Sequence, residues 1–218
     1  MTRARLGRFF PILFVLFWML GVGFGFSALW KYASAPGEPG RPPKRWPAAS
    51  AVPVSKGRAT LVMIVHPHCP CTRASLSELA VLMARTRGRL AANVLFFKPK
   101  DFQDRWEKTD LWRTASAIPD ARAMSDEGGV EAARFGSTTS GQVIVYGTKG
   151  RLLFSGGITG ARGHAGDNPG RAAIESLVAG EPGPGSTPVF GCSIREANLK
   201  DLVEGSSLWE RIRRSIKL

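Results

Sequence analysis

The chain is poor in the residues that most often carry chemistry: its 218 residues include only three cysteines and three histidines. Three cysteines cannot all pair, so at least one is left over, a feature worth notice in an oxidising compartment. Paired cysteines separated by two to four residues, with four ligands in all, would mark a structural zinc site. The closest pair here is separated by one residue, which disfavours zinc. Acidic residues are scarce too: 17 Asp and Glu stand against 30 Lys and Arg, a formal charge of +13 with a pI near 10.5. The basic residues are dispersed and no recognised nucleic-acid module is present, so the charge does not point to nucleic acid. Anionic lipid headgroups are the more economical partner.

Scarcity makes the clustering informative. Two of the three cysteines and two of the three histidines fall in His66-Pro67-His68-Cys69-Pro70-Cys71, followed by Thr72-Arg73. Before this stretch lies the apolar run Thr60-Leu61-Val62-Met63-Ile64-Val65, short and rich in β-branched residues, which predicts a strand buried on both faces. After it, Leu76, Leu79, Ala80 and Met83 follow the spacing of one helix face, with Gly88 as a stop. The cysteines therefore sit in a strand-to-helix turn. Proline suits the first helical position, which makes Cys69 the N-cap and Cys71 the second helical residue. The helix dipole and a protonated imidazole from His66 or His68 would favour a thiolate at Cys69, lowering its pKa and raising its reactivity.

The N-terminal residues 1–8 are basic, with Arg3, Arg5 and Arg8, and residues 9–30 carry no charge. That run is long enough to cross a bilayer. Ala33-Ser34-Ala35 is a poor cleavage site because Pro36 follows it, so residues 9–30 are expected to be an uncleaved signal anchor with a cytoplasmic N-terminus. This puts the rest of the chain in the periplasm or outside, tethered to the inner membrane. Residues 31–57 are rich in Pro and Gly and predict a semi-extended spacer.

Residues 58–180 form the body. Beyond the first strand and helix, residues 92–97 predict a second strand and 101–117 a helix; residues 121–124 a short strand and 126–135 another helix. Residues 142–146 and 151–155 predict a β-hairpin, and a Gly-rich loop over 156–170 leads to a last helix at 171–179. Residues 181–218 are a C-terminal extension carrying Cys192, which reads equally as a third ligand, a resolving thiol or a buried small residue. The same extension ends in an amphipathic, basic stretch over 195–218 suited to a lipid surface or to the domain.

This βαβα(β)αββα order, with the cysteine pair after the first strand, resembles the α/β thioredoxin-like fold: a central mixed sheet with flanking helices in three layers. It is nearest to the membrane-tethered RedB-like proteins, on the residues His66 to Cys71 and on Ser155-Gly156-Gly157-Ile158-Thr159 after the hairpin. The resemblance implies redox cysteines at Cys69 and Cys71 that exchange disulfides with an extracytoplasmic protein. Two features depart from the family pattern. Only Pro70 separates the cysteines, and Thr139-Ser140-Gly141-Gln142 stands where the family usually has a cis-proline facing them.

Two functions use these thiols. The first is thiol–disulfide exchange without a cofactor, in which Cys69 attacks and Cys71 resolves. The second is Cu(I) carriage by Cys69, Cys71 and a histidine, with His164 and Cys192 as further ligands, since thiolate and imidazole suit copper. The topology also brings the Gly-rich loop back beside Cys69, which makes His164 a candidate for proton transfer during exchange.

Overall fold

The apolar run before the cysteines forms β1, Ala59–Val65, and all seven of its residues are buried. A strand covered on both faces needs neighbours on both sides and helices above and below. The computed structural model supplies them, and it describes residues 3–100 and 102–194. Four further strands are β2 (Leu90–Lys98), β3 (Ala121–Glu127), β4 (Gln142–Tyr146) and β5 (Leu152–Gly156). They form one sheet in the order β3-β2-β1-β4-β5. β1, β2 and β3 are parallel, while β4 runs antiparallel to β1 and β5 antiparallel to β4. These are the strand order and directions of a thioredoxin-like sheet.

The chain divides into two units, Met1–Ala35 and Pro36–Leu218. In the first, α1 spans Arg3–Ser34, and its Phe10–Ser34 portion, with mean hydropathy 2.2, is long and apolar enough to cross a membrane. The second holds the sheet with α2 (Pro70–Arg85), α3 (Asp110–Ser116), α4 (Val130–Arg134) and α5 (Pro169–Ala179).

Alternation along β1 splits the core in two. Leu61, Met63 and Val65 face α2 and α5, packing with Leu76, Leu79, Leu82 and Ile174. Val62 and Ile64 face the opposite side, where Phe135 and Tyr146 lie. Each fully buried leucine on α2 contributes about 1.5–3 kcal/mol of transfer free energy, which fixes the helix against the sheet. The buried face of α2 is Leu76, Leu79, Leu82 and Met83, whereas Ala80 points to solvent.

Three expectations change. The helix expected over 101–117 is confined to α3, Asp110–Ser116. The helix expected over 126–135 shrinks to α4 because Asp126 belongs to β3; Gly128 and Gly129 then adopt positive φ and turn the chain into the helix. From there the Asp126 carboxylate accepts hydrogen bonds from the backbone N–H groups of Glu131 and Ala132. The third change concerns the spacer. Residues 36–57 lie along the domain as a strap: Arg41 N–H donates to the Gly136 carbonyl, Trp46 N–H to that of Gly150, and Tyr146 Oη to that of Pro43. Trp46 meets Phe135 and Tyr146 edge-on at 5.1 and 5.2 Å, and Val52 is buried with them. Trp46→Ala is accordingly expected to cost roughly 2–3 kcal/mol in denaturant unfolding, from lost burial and two aromatic contacts. A free spacer would give no change. The stretch expected over 195–218 lies outside the described residues.

Candidate functional site

Val65 ends β1 and Pro70 opens α2, so residues 66–69 make the turn between them. Cys69 is the N-cap, with extended φ and ψ of −82° and 120°. The turn is held from below. His66 N–H donates to Ser140 Oγ, which lies 3.2 Å from Thr72 Oγ1, and Thr72 Oγ1 donates to the His66 carbonyl. Ser140 thus joins the cysteine turn to the start of β4, at the place where the family pattern has proline. The described residues contain no cis peptide bond.

The two histidines of the motif pack among aromatic rings. His66 stacks on Phe97 at 6.0 Å and meets Trp106 edge-on at 5.7 Å, and His68 lies 4.6 Å from the Trp106 ring. His66 Nδ1 accepts the His68 backbone N–H. Burial, and then the neighbouring His68, lower the His66 pKa. His66 is therefore neutral near pH 7, and the protonated imidazole expected from it at Cys69 is not available. Hydrogen bonds take that role.

Cys69 is 3% exposed, and its Sγ lies 3.1 Å from Cys192 Sγ. Burial works against a Cys69 thiolate, but the Cys192 thiol and then the backbone N–H groups of Cys192, Cys71 and Thr72 outweigh it, holding the Cys69 pKa below the ordinary thiol value. Cys192 moves the other way, pushed up to about 12 by burial, by its hydrogen bond to Cys69 and by the charge there, with Arg162 opposing. Cys69 thus ionises first, and Cys192 donates its S–H. Burial also raises the Cys71 pKa, followed by the Cys69 charge and a hydrogen bond to it, while Arg162 and the Gly163 N–H pull it down. Of the three thiols, Cys69 is thus the one whose ionisation the site favours.

Cys192 arrives on a strand-like segment. Residues 185–189 run beside β5, with Ser155 N–H donating to the Gly185 carbonyl and Gly157 N–H to that of Pro188. Farther on, Thr139 and Ser193 form an antiparallel bridge, Ser140 N–H donates to the Cys192 carbonyl, and Ile194 N–H to that of Thr138. Nothing in the local sequence around Cys192 marks this pairing. Gly191 is the residue that the pairing requires, because its closeness to Ser140 leaves no room for a side chain: a Cβ there would stand 1.8 Å from the Ser140 carbonyl oxygen.

The Gly-rich loop does come back to the cysteines, through Arg162 and Gly163. Arg162 donates to the Gly191 carbonyl at 2.5 Å and so ties this loop to the Cys192 segment. His164 is exposed, and its backbone N–H closes a turn on Ala161. The loop is anchored to α2 by the buried Glu78, which accepts from Gly166 N–H and Asn168 Nδ2 and is paired with Arg171. Asn168 in turn caps α5 by accepting the Arg171 N–H. On the other side of the motif, a cleft of about 370 Å³ is bordered by His68, Cys69, Arg73 and Asp110. Among the described residues, no group of three or more His, Cys, Asp or Glu side chains is arranged to hold a metal ion.

No family model and no curated protein matches the chain. Among solved structures it is similar to an uncharacterised conserved protein from Geobacillus kaustophilus, with TM-score 0.55 and 17% identity over 76% of this chain and 94% of that one. A hypothetical protein from Sinorhizobium meliloti gives TM-score 0.57 and 18% identity over 76% of this chain and 98% of that one. A secreted disulfide oxidoreductase from Mycobacterium tuberculosis, homologous to DsbE of E. coli, matches with TM-score 0.42 and 14% identity over 57% of this chain and 83% of that one. The likeness to the first two is one of fold. The part of the chain after Ala35 has a thioredoxin-like fold, and an apolar helix precedes it in sequence.

Proposed function

We propose that this chain is a membrane-tethered, extracytoplasmic thiol–disulfide oxidoreductase of the RedB-like type, and that Cys69 in the turn Cys69-Pro70-Cys71 is its reactive thiol. One observation carries the reading: Cys69 stands at a helix N-cap with the Cys192 sulfur 3.1 Å from its own, and that thiol together with the neighbouring backbone N–H groups lowers its pKa despite burial. The thiolate is the attacking species in disulfide exchange, and a stabilised thiolate is also a good leaving group. Two thiols are placed to be its partner, Cys71 and Cys192. The apolar part of α1, Phe10–Ser34, supports the tether, and Arg3, Arg5 and Arg8 ahead of that part support a cytoplasmic N-terminus in the inner membrane. The exchange partner is the thiol or disulfide of another extracytoplasmic protein.

The test is exchange with glutathione by the purified full-length chain. The wild type is expected to form and release a mixed disulfide, and Cys69→Ser to lose the reaction. The mature protein should also stay with membranes through an alkaline wash, with its N-terminus intact. Equal, slow reaction at all three cysteines would overturn the redox reading. Tight, stoichiometric Cu(I) binding to the reduced protein, abolished by Cys69→Ser, would replace it with copper carriage.

A further inference from the structure

We propose that the disulfide partner of Cys69 is Cys192, delivered by the chain's own C-terminal segment, so that the redox couple is Cys69–Cys192 rather than Cys69–Cys71. The inference rests on the reading of Cys69 as a reactive thiol and adds what closes the cycle.

Three observations point the same way. The Cys69 and Cys192 sulfurs are 3.1 Å apart, a short approach from bonding distance, and the backbone at and after Cys192 is held by hydrogen bonds to residues 140 and 138. That register is held in place by the close passage of Gly191 over Ser140 and by the Arg162 bond to the Gly191 carbonyl. Cys71, by contrast, lies inside the first turn of α2, which begins at Pro70. A Cys69–Cys71 bond would close a small ring across the start of the helix and would require that turn to distort. Finally, Cys69 and Cys71 are buried and Cys192 is partly exposed. An incoming sulfur meets Cys192 first.

The order of events follows from this exposure. In the oxidised chain Cys69 and Cys192 share a disulfide. One thiolate of a partner dithiol attacks the Cys192 sulfur, the Cys69–Cys192 bond breaks, and its electron pair leaves on Cys69, which stands at the N-terminus of α2 and is the thiol of the pair that ionises first. The partner is then joined to Cys192. Its second thiolate attacks its own bonded sulfur, forming the partner disulfide and expelling Cys192, which takes up a proton. The partner has lost two electrons and two protons, and the chain has gained two electrons, held as a Cys69 thiolate and a Cys192 thiol, with the remaining proton passed to solvent. The substrate class is a protein dithiol, and glutathione disulfide can restore the oxidised chain.

The full-length protein in detergent is oxidised with glutathione disulfide, acid-quenched, alkylated, digested and mapped by mass spectrometry. The wild type and Cys71→Ala are both expected to yield the Cys69–Cys192 cross-link. Cys192→Ala is expected to keep glutathione on Cys69 about 100-fold longer, because a thiol held in place acts at high effective molarity. A Cys69–Cys71 cross-link with Cys192 alkylated, or loss of the cross-link in Cys71→Ala, would overturn the proposal while leaving Cys69 reactive. Absence of any reaction with glutathione in the wild type would instead remove the oxidoreductase reading beneath it. If Cys192→Ala fails to fold by circular dichroism, the Cys71→Ala arm decides alone.

Discussion

Glu78→Ala is expected to lower the free energy of unfolding by about 3–5 kcal/mol, read as a fall in the denaturant midpoint. Glu78 is 3% exposed and Arg171 5%, and the two form a buried ion pair. Removing the carboxylate leaves the guanidinium buried with only Asp167, itself exposed, and Glu175 to answer it. It also releases the Gly166 N–H and Asn168 Nδ2, which hold the Gly-rich loop to α2. Because Arg162 and Gly163 of that loop act on Cys71, the loss should reach the thiols as well. Ser77→Ala, next along the helix but exposed, serves as the control and should stay within about 0.5 kcal/mol. A Glu78→Ala effect as small as the control's would mean that the pair contributes nothing.

Gly191→Val is the second large effect, and it is expected at Cys192 rather than in the core. A Cβ at 191 would stand 1.8 Å from the Ser140 oxygen and 2.8 Å from its carbonyl carbon. Ser140 cannot retreat, since its hydroxyl holds His66 N–H and the next residue, Gly141, donates to the Ile64 carbonyl. The segment carrying Cys192 must lift instead. In place, burial and then the Cys69 thiol push the Cys192 pKa up to about 12, which keeps it protonated at neutral pH. Released, it returns towards the ordinary thiol value of roughly 8.5, and its thiolate fraction grows by about 10³. Iodoacetamide should therefore label Cys192 about 10²–10³-fold faster in the variant at pH 7, and the Cys69 pKa should rise as it loses its donor. Unchanged labelling would show that the close passage at Gly191 does not hold the segment.

The fold was legible because its signals are local. β1 and β2 are short apolar runs, the hairpin strands flank Gly147 and Gly150, and Pro70 and Pro169 stand at the first positions of their helices. The misread boundaries are places where a distant group replaces a local one. Asp126 looks like the start of a helix and does cap one, but from the end of a strand. The strap resisted reading for a related reason. It has no periodicity, and it is held by carbonyls of prolines and lysine, by Trp46 and by Val52, none of which composition distinguishes from a loose linker.

The site was half legible. The motif gave the position of Cys69 at the helix N-cap, where the structure has it. It could not give the source of thiolate stabilisation, because Cys192 lies 123 residues away and its approach depends on a segment without strand-like sequence. His164 drew notice as a titratable residue, yet the groups of that loop that reach the cysteines are a guanidinium and a backbone N–H two and one residues earlier.

The strap and the C-terminal segment share a further effect, on association with other molecules. A sheet margin with free N–H and C=O groups is a template on which another chain can add a strand. At the β5 margin this chain covers itself: Leu152 N–H donates to the Lys44 carbonyl, and Ser155 N–H to that of Gly185. The opposite margin, β3, carries the exposed Arg122 and Glu127, charges of the kind that discourage strand addition. Two stretches that resemble connecting sequence therefore protect the sheet against edge-to-edge aggregation, and shortening either one should make the domain stickier before it makes it unstable.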